Sequence, residues 1–465
     1  MAMRIGLVVV ILSTLAAIAG ASDFPRPADI EHQVHFWRTI FADYSKYQVV
    51  VHDTVDLDKV YSVLDFRPLV EEGRSLVEVE RIEKQETEYE LDRLRALFRR
   101  FHQGVDRDQL TTDERRIYDL VRTDPSPTRF LDAADDKRLR SQRGIRERFE
   151  EGYRRARHWF PEMERIFREE GLPVELTRLP LIESCFNTDA YSKVGAAGAW
   201  QFMPATGRLF DLTVGNLIDE RKDVIASTRA AARFLSRNYD MLGSWALAIT
   251  AWNHGPGGVA RAVDETGTSD IGAIIRRYRG PAFGFASRNF YAEFLAALDV
   301  DRHHEAWFGP MPNETPRPTR VRRLEQSVGI DVAARLARTD RDTIAELNPA
   351  LLDPVAEGRR AIPAGYALRL PAEGATGFDD RLAELVAETR VTRVASAPAP
   401  ALRLASARGR SAATAAVTHR VRRGQTLSHI AQRYGVSVAA LKTANRLGRR
   451  GQVKAGQTLR IPRRT

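Results

Sequence analysis

The sequence predicts a mainly α-helical protein, and two stretches carry most of that prediction. Residues 74–101 place apolar residues among Glu and Arg at helical spacing, which is typical of one long amphipathic helix. Between residues 157 and 300, residues that favour helix ends stand at suitable places. Ser227 or Thr228 can cap a helix that Gly243 closes. Val-rich runs in the N-terminal third fit either strands or buried helical turns, so the local structure there stays open.

The first 21 residues are typical of a secretory signal peptide. Arg4 supplies the positive start, residues 5–18 the apolar core, and residues 19–21 (Ala-Gly-Ala) the cleavage site. The apolar run is too short for a stable membrane span, and an uncleaved anchor is the alternative. The only cysteine, Cys185, lies far from this site, so we expect neither a lipoprotein anchor nor an internal disulfide. The sequence thus predicts an exported protein of the periplasm or cell envelope.

Positive charge is concentrated at the C-terminal end of the chain. The 465 residues include 71 Lys and Arg against 61 Asp and Glu, a net charge of +10. Residues 418–465 contain twelve basic residues and no acidic residue, so this segment carries +12 and the remainder carries −2. A basic segment binds polyanions without sequence specificity. For an exported protein we expect anionic envelope polymers as partners of this segment, and no specific nucleic acid.

The strongest candidate for a chemical role is Glu183. It follows an apolar stretch, residues 174–182, that Pro173 can open as a helix and that would pack into a core. A carboxyl at the edge of apolar packing has a raised pKa, because its charged form is disfavoured, and it can donate a proton near neutral pH. The loop that follows offers the rings of Tyr191 and Trp200 to a sugar. A solvated or ion-paired glutamate is the simpler interpretation of Glu183 taken alone.

Further short motifs follow Glu183 in a fixed order. Glu183-Ser184 leads to Ser192, nine residues after the glutamate. Then come Gly198-Ala199-Trp200-Gln201, Ala251-Trp252-Asn253-His254-Gly255 and, last, Tyr291. In order and separation, these motifs resemble the catalytic domain of the lytic murein transglycosylases over about residues 150–300. The chain departs from the family at two places: Trp252 replaces the usual tyrosine, and the sequence around Tyr291 lacks the usual Val-Pro.

The resemblance implies a lysozyme-like α-helical domain and a defined reaction. Glu183 would protonate the bond between N-acetylmuramic acid and N-acetylglucosamine, and would then take the proton from the muramic acid 6-hydroxyl as a 1,6-anhydro end forms. Peptidoglycan glycan strands would be the partner, without metal or cofactor. Asn253 could offer both a donor and an acceptor to an acetamido group. The side chains implied to line or shape the glycan cleft are Ser184, Ser192, Trp200, Gln201, Asn253 and Tyr291.

The chain divides into a signal peptide and several predicted domains. Residues 1–21 are followed by a helical N-terminal region, 22–156, expected to pack against the lysozyme-like catalytic domain, 157–308. Residues 320–371 resemble a degenerate LysM module, and the Ala, Ser, Arg and Pro composition farther on indicates a flexible linker over residues 372–417.

The C-terminal segment, residues 418–463, resembles LysM more closely. Arg423-Gly424-Gln425-Thr426-Leu427 follows its first predicted strand, and Ala455-Gly456-Gln457-Thr458-Leu459 leads into its last. The resemblance implies a β-α-α-β module that binds glycans containing N-acetylglucosamine. Together with residues 320–371 it forms an internal repeat.

Two other functions fit the same motifs. A goose-type lysozyme would share the fold and Glu183 but would hydrolyse the bond, with Asp189 as the nearest second carboxylate in the sequence. A wall-binding scaffold without catalytic activity would keep the same domains for adhesion. His303-His304-Glu305 does not indicate a metal site, since adjacent histidines seldom point at one ion.

Overall fold

The structure is a computed structural model that describes residues 23–312, 318–395, 418–421, 426–434, 436–445, 447 and 456–462. The predicted signal peptide and residues 396–417 of the predicted linker lie outside these ranges. The chain divides into two compact units, Met1–Val386 and Ala387–Thr465. Helices dominate, as predicted. Within the described ranges, no helix is both long enough and apolar enough to cross a bilayer.

The N-terminal region combines helices with a small sheet. The 28-residue helix predicted at 74–101 is confirmed as Leu76–Gln103, and Ser75 caps it by accepting a hydrogen bond from the Glu78 amide. The elements, in chain order, are α1 Glu31–Ala42, β1 Gln48–Asp53, β2 Val60–Asp65, α2 Arg67–Glu71, α3 Leu76–Gln103, α4 Thr112–Val121, α5 Arg129–Ala133, β3 Leu139–Arg143 and α6 Arg146–Arg157.

The Val-rich runs of the N-terminal region form strands, which decides between the two structures that the sequence left open there. The three strands form an antiparallel sheet in the order β2-β1-β3. Val50 at the centre of β1 pairs with Val63 of β2 on one side and with Gln142 of β3 on the other. β-Branched side chains suit a buried central strand, and residues Val49–Asp53 of β1 are all buried.

The predicted catalytic domain is built entirely from helices among its described elements. A 3₁₀ segment, Val174–Arg178, leads directly into the short helix that carries Glu183. The helices are α7 Phe160–Glu169, α8 Leu179–Ser184, α9 Pro204–Leu209, α10 Val224–Leu242, α11 Trp245–His254, α12 Pro256–Thr266, α13 Ile271–Arg277, α14 Phe285–Arg302 and α15 His304–Phe308.

Helix α10 begins earlier than the sequence predicts. Its N-cap is Asp223, whose carboxylate accepts hydrogen bonds from the amides of Ile225 and Ala226. Ser227 and Thr228, the predicted caps, lie inside the first turns, and their hydroxyls donate to backbone carbonyls of the preceding turn. The predicted end is correct, because Gly243 closes the helix in the left-handed conformation with φ 68°.

The N-terminal region and the catalytic helices share one apolar core, as predicted. Helix α1 packs along α14, and the indole N–H of Trp37 donates to Asn289 Oδ1 at 3.1 Å. The segment before α1 is fixed to the same helix, since Phe24 packs edge-on against Phe294 with centroids 5.2 Å apart. Arg26 pairs with Asp299 at 2.9 Å. These contacts join the two regions into one body.

A further unit follows in the same compact body. It comprises β4 Thr319–Arg323, α16 Ile330–Leu336, α17 Arg341–Leu347, α18 Asp353–Ala356, β5 Ala367–Pro371, α19 Ala372–Ala375 and the first part of α20 Phe378–Ala395. The boundary between the two compact units, after Val386, falls within α20. β4 and β5 pair antiparallel. Phe378 is fully buried in this unit's core, so the predicted flexible linker is wrong over its first residues, where α19 and the start of α20 pack against the module.

This unit is fixed to the catalytic domain by a short segment. The amide of Asp219 donates to Ala350 O at 2.8 Å, and the amide of Leu352 donates to Leu217 O at 3.0 Å. Ile218, which lies between Leu217 and Asp219, is buried in the core of the module rather than in that of the catalytic domain.

The C-terminal unit repeats the architecture of residues 319–371. Asn348 after α17 donates to the Arg369 carbonyl at 2.8 Å and accepts from the Arg369 amide. Asn445 makes the same pair of bonds with Arg460. One asparagine thus ties the second helix to the return strand in both copies, which supports the predicted internal repeat. The elements are β6 Thr418–Arg420, α21 Leu427–Tyr434, α22 Val438–Ala444 and β7 Thr458–Arg460.

Candidate active site

Glu183 lies in the last turn of α8, where a buried helix meets a polar loop. Leu179 and Leu181 on the same helix are fully buried, whereas Glu183 is only partly covered. Burial raises the pKa of the Glu183 carboxyl to about 8, and a hydrogen bond from Trp252 to the carboxylate acts in the opposite direction. The carboxyl is therefore mostly protonated at neutral pH, as a general acid must be.

The chain leaves α8 through a fixed, left-handed turn. Cys185 and Phe186 have φ values of 50° and 51°, a conformation that non-glycine residues seldom adopt. Arg155 donates to the Cys185 carbonyl at 2.9 Å, and a Cβ at Gly152 would lie 2.2 Å from the same oxygen. Helix α6 thus supports the turn closely, and backbone strain is placed directly after Glu183. The Cys185 thiol is buried, and burial raises its pKa, which disfavours the reactive thiolate form.

The loop after this turn folds back against α8. The Ser184 hydroxyl donates to Ala199 O at 2.9 Å and accepts from the Asn187 amide, so Ser184 joins the two halves of the site. Ser192 Oγ accepts from the Ala196 amide at 2.8 Å, which leaves its hydroxyl proton free among the described contacts. Ser184 therefore positions the loop, whereas Ser192 retains a donor for a ligand.

Gln201 is presented by a strained backbone. Its φ is 49°, and its side-chain nitrogen Nε2 donates to Gly198 O at 2.8 Å. Its side-chain carbonyl oxygen has no hydrogen-bond partner among the described residues. Gly198 itself has φ 77°, and a Cβ there would lie 1.8 Å from Arg221 O. Only glycine fits at this position.

Arg221 holds both ends of the loop from a fully buried position. It forms a bidentate pair with Asp219 at 2.8 and 2.6 Å. Its other terminal nitrogen donates to the carbonyls of Gly195 and Phe202 at 2.7 and 2.9 Å. The Tyr191 hydroxyl, at 3.3 Å, accepts from the remaining N–H. All donors of a buried guanidinium are satisfied, as buried charge requires.

The aromatic residues of the motifs and of the loop differ in burial and in contacts. Trp200 is fully buried, stacks on Phe167 and donates to Thr228 Oγ1 at 3.0 Å, so it supports the site without offering a ring face to a sugar. Of the two rings expected to meet a sugar, only Tyr191 is exposed, at 65%. The ring of Trp252 lies 5.6 Å from that of Trp200, and its indole N–H donates to the Glu183 carboxylate.

Asn253 ends α11 beside the site, as predicted. Its Oδ1 accepts from the Ser287 hydroxyl at 2.9 Å, and among the described contacts its amide N–H groups remain free to donate. Ser287 in turn lies 3.2 Å from His254 Nδ1. Because the Ser287 proton is used on Asn253, His254 must be the donor in that contact. Ser287, which no motif includes, orients both residues.

A second carboxyl near Glu183 comes from α14 and not from the predicted loop. Burial, and then the charge of Glu183, raise the pKa of Glu293 to about 8, while Arg140 of β3 acts in the opposite direction. Asp189, the predicted second carboxylate, is 76% exposed and pairs with Lys222 at 2.7 Å. No local sequence signal points to Glu293, because its place near Glu183 depends on the packing of α14 against α8.

Tyr291 does not lie with the other motif residues in the cleft. It is fully buried, and its hydroxyl donates to Pro25 O at 2.7 Å. Successive residues of a helix face different directions, so Tyr291 faces the N-terminal segment while Glu293 faces α8. The prediction that Tyr291 lines the glycan cleft is not supported by this placement.

Comparisons with known proteins identify two domains in the chain. Residues 164–275 match the model of the Transglycosylase SLT domain, and residues 419–462 match that of the LysM domain. Membrane-bound lytic murein transglycosylase D of Escherichia coli is 28% identical over 302 residues, or 63% of this chain. The chain spans 61% of the length of that relative.

Two other proteins are similar over shorter stretches. A putative tributyltin chloride resistance protein of Alteromonas sp. is 46% identical over 100 residues, 21% of this chain and 47% of its own length. An inactive mutant of lytic transglycosylase Slt from Pseudomonas aeruginosa has 22% identity and a TM-score of 0.28, over 46% of this chain and 33% of the other. The chain therefore carries a transglycosylase SLT domain and a LysM domain, and it is homologous to lytic murein transglycosylase D.

Proposed function

We propose that the protein is a peptidoglycan lytic transglycosylase with Glu183 as its general acid and base. The observation that carries this proposal is the partly covered Glu183 carboxyl, which burial keeps protonated near neutral pH at the end of a buried helix. The SLT domain match covers this residue, and the name of the E. coli relative describes the same activity.

In the proposed reaction Glu183 first donates a proton and later accepts one. Glu183 gives its proton to the glycosidic oxygen, and the bond from N-acetylmuramic acid to N-acetylglucosamine breaks while the substrate acetamido group assists at the anomeric carbon. The muramic acid 6-hydroxyl then attacks that carbon, and its proton returns to Glu183. The products are a free N-acetylglucosamine end and a 1,6-anhydro ring, and no water is consumed.

Three side chains of the site suit the polar groups of the sugars. The free amide N–H groups of Asn253 would donate to an acetamido carbonyl, the unpaired side-chain carbonyl of Gln201 would accept, and the Ser192 hydroxyl would donate. The exposed ring of Tyr191 would pack on a sugar face. Ser184 and Trp200 would act indirectly, by holding the loop in place.

We also propose that the protein works in the cell envelope. Residues 1–21 would direct export to the periplasm, the LysM domain would hold the enzyme on the wall, and the basic residues of 418–465 would add attraction to anionic envelope polymers. The module at residues 319–371 would serve as a support for the catalytic domain, because its own loop residues are used in contacts with Leu217–Asp219.

Mass spectrometry of the fragments released from purified peptidoglycan tests the proposal. The wild-type protein should release fragments one water lighter than reducing muropeptides. Glu183→Gln keeps the size of the side chain but has no proton to transfer, so release should fall by about 10²- to 10⁴-fold. Asp189→Asn, a matched change at an exposed carboxylate of the same loop, should release the same fragments as wild type.

Each other outcome has a definite meaning. Reducing ends would identify a hydrolase and direct attention to Glu293 as the second carboxylate. Full activity of Glu183→Gln would overturn the assignment of the acid. A wild-type protein that binds peptidoglycan but releases nothing would be a scaffold.

A further inference from the structure

A basic cavity lies beside Asn253, outside the motifs described above. Its volume is about 490 Å³, within the size range of sites for small ligands. The end of α11, the helices α12 and α13 and the connection to α14 form its walls. The lining residues are His254, Arg261, Glu265, Thr266, Arg277, Tyr278, Arg279, Gly280, Pro281 and Ala282.

The positive charge of this cavity is not compensated by the protein. The lining includes three arginines, Arg261, Arg277 and Arg279, and one carboxylate, that of Glu265. All four residues are exposed. Among the described residues, none of these three arginines forms an ion pair, whereas about half of the arginines of the same body do, Arg276 among them. Arg288, just behind the wall, has a pKa lowered first by burial and then by the charge of Arg279. The site therefore attracts an anion from outside the protein.

One hydroxyl connects the cavity with the proposed active site. Ser287 donates to Asn253 and accepts from His254, whose imidazole forms part of the cavity wall. The ring fits there because position 258 is glycine; a Cβ would lie 2.5 Å from the His254 Cδ2 atom. Burial, and then the charge of Arg261, lower the pKa of His254, which favours the neutral ring, so the arginines supply the positive charge of the cavity.

The chemistry of the cavity selects one part of the proposed substrate. The N-acetyl sugars of a peptide-bearing strand carry no charge, because the lactyl carboxyl of each muramic acid is bound as an amide to the peptide stem, whereas the stem itself carries free carboxylates. Guanidinium groups bind carboxylates through paired, charge-assisted hydrogen bonds. We propose that this cavity is a subsite for carboxylates of the peptide stem, an inference that rests on the proposed function. The enzyme then prefers peptide-bearing strands over bare glycan.

Two substrates and two variants test this subsite. Initial rates are measured on intact peptidoglycan and on glycan strands from which an amidase has removed the peptides, which leaves one lactyl carboxylate on each muramic acid but none of the carboxylates of the stem. The variant Arg277→Gln with Arg279→Gln removes two charges from the cavity, and both side chains are exposed, so the fold should be retained. Arg276→Gln is the matched control: it removes a neighbouring charge on α13 that pairs with Asp29 and does not line the cavity.

The readout is the ratio of kcat/KM on peptide-bearing strands to kcat/KM on bare strands. Wild type should have a ratio well above one, and the double variant should lower it by about ten- to a hundredfold, mainly through KM. The control should keep the wild-type ratio. An unchanged ratio in the double variant would overturn the subsite, whether or not both rates fall together. Failure of the proposed function would appear differently, as the absence of anhydro products from wild type on either substrate.

Discussion

The pH dependence of the reaction follows from the burial of Glu183. With a pKa of about 8, about 90% of the carboxyl carries its proton at pH 7, whereas an ordinary glutamic acid with a pKa of 4.5 would carry it in about 0.3% of molecules. The protein environment thus increases the fraction of active acid by about 300-fold. Because the protonated form gives the proton, kcat/KM should be high from pH 6 to 7.5, fall to half near pH 8 and decline tenfold per pH unit above it.

The assay is the initial rate of anhydro-product release between pH 4 and 10 at constant ionic strength and low substrate concentration. Glu183→Gln supplies the background at each pH, and circular dichroism at each pH separates loss of the proton from loss of the fold. Loss of half the activity between pH 4.5 and 5.5 would refute the reasoning, because it would assign an ordinary, solvated carboxyl to the acid. An alkaline midpoint near 8 that disappears in the variant would support it.

For three further substitutions the structure determines whether the measured pKa or stability should rise or fall. Trp252→Phe removes the donor that lowers the pKa of Glu183, so the alkaline midpoint of kcat/KM should move above that of wild type. Glu183→Gln should raise the free energy of unfolding in urea at pH 8, by at most about 5 kcal/mol, and should leave it unchanged at pH 4. A carboxyl whose pKa is raised in the folded protein destabilises the fold as the pH rises from its unfolded-state pKa to its folded-state pKa of about 8, and glutamine does not titrate. Gly198→Ala should cost about 2–5 kcal/mol in the same assay, because its Cβ would overlap Arg221 O. Gly195→Ala, with φ 93° and nothing within 4 Å, is its control and should cost only about 1–2 kcal/mol.

Local signals predicted the helices and much of the site. The long helix α3 follows from its apolar spacing and its Ser75 cap, and the end of α10 follows from Gly243. Glu183 and Asn253 were placed at helix ends by the apolar runs before them, and the structure has them there.

Long-range contacts account for what the sequence did not predict. The strand β1 pairs with β3 about 90 residues later, and no local pattern specifies that pairing. Glu293 lies near Glu183 because α8 and α14 pack together, so its role was invisible without the tertiary fold. Tyr291 was assigned to the cleft by family position alone, although its side chain follows the face of α14 that contacts Pro25.

The attachment of the 319–371 module through Leu217–Asp219 has a thermodynamic consequence. Asp219 gives its amide to Ala350 and its carboxylate to Arg221, so one residue belongs to both hydrogen-bond systems. Ile218 cannot leave the core of the module without pulling on the segment that orients Arg221. The module and the catalytic domain are thus parts of one cooperative unit, in which neither can open locally without loosening the other.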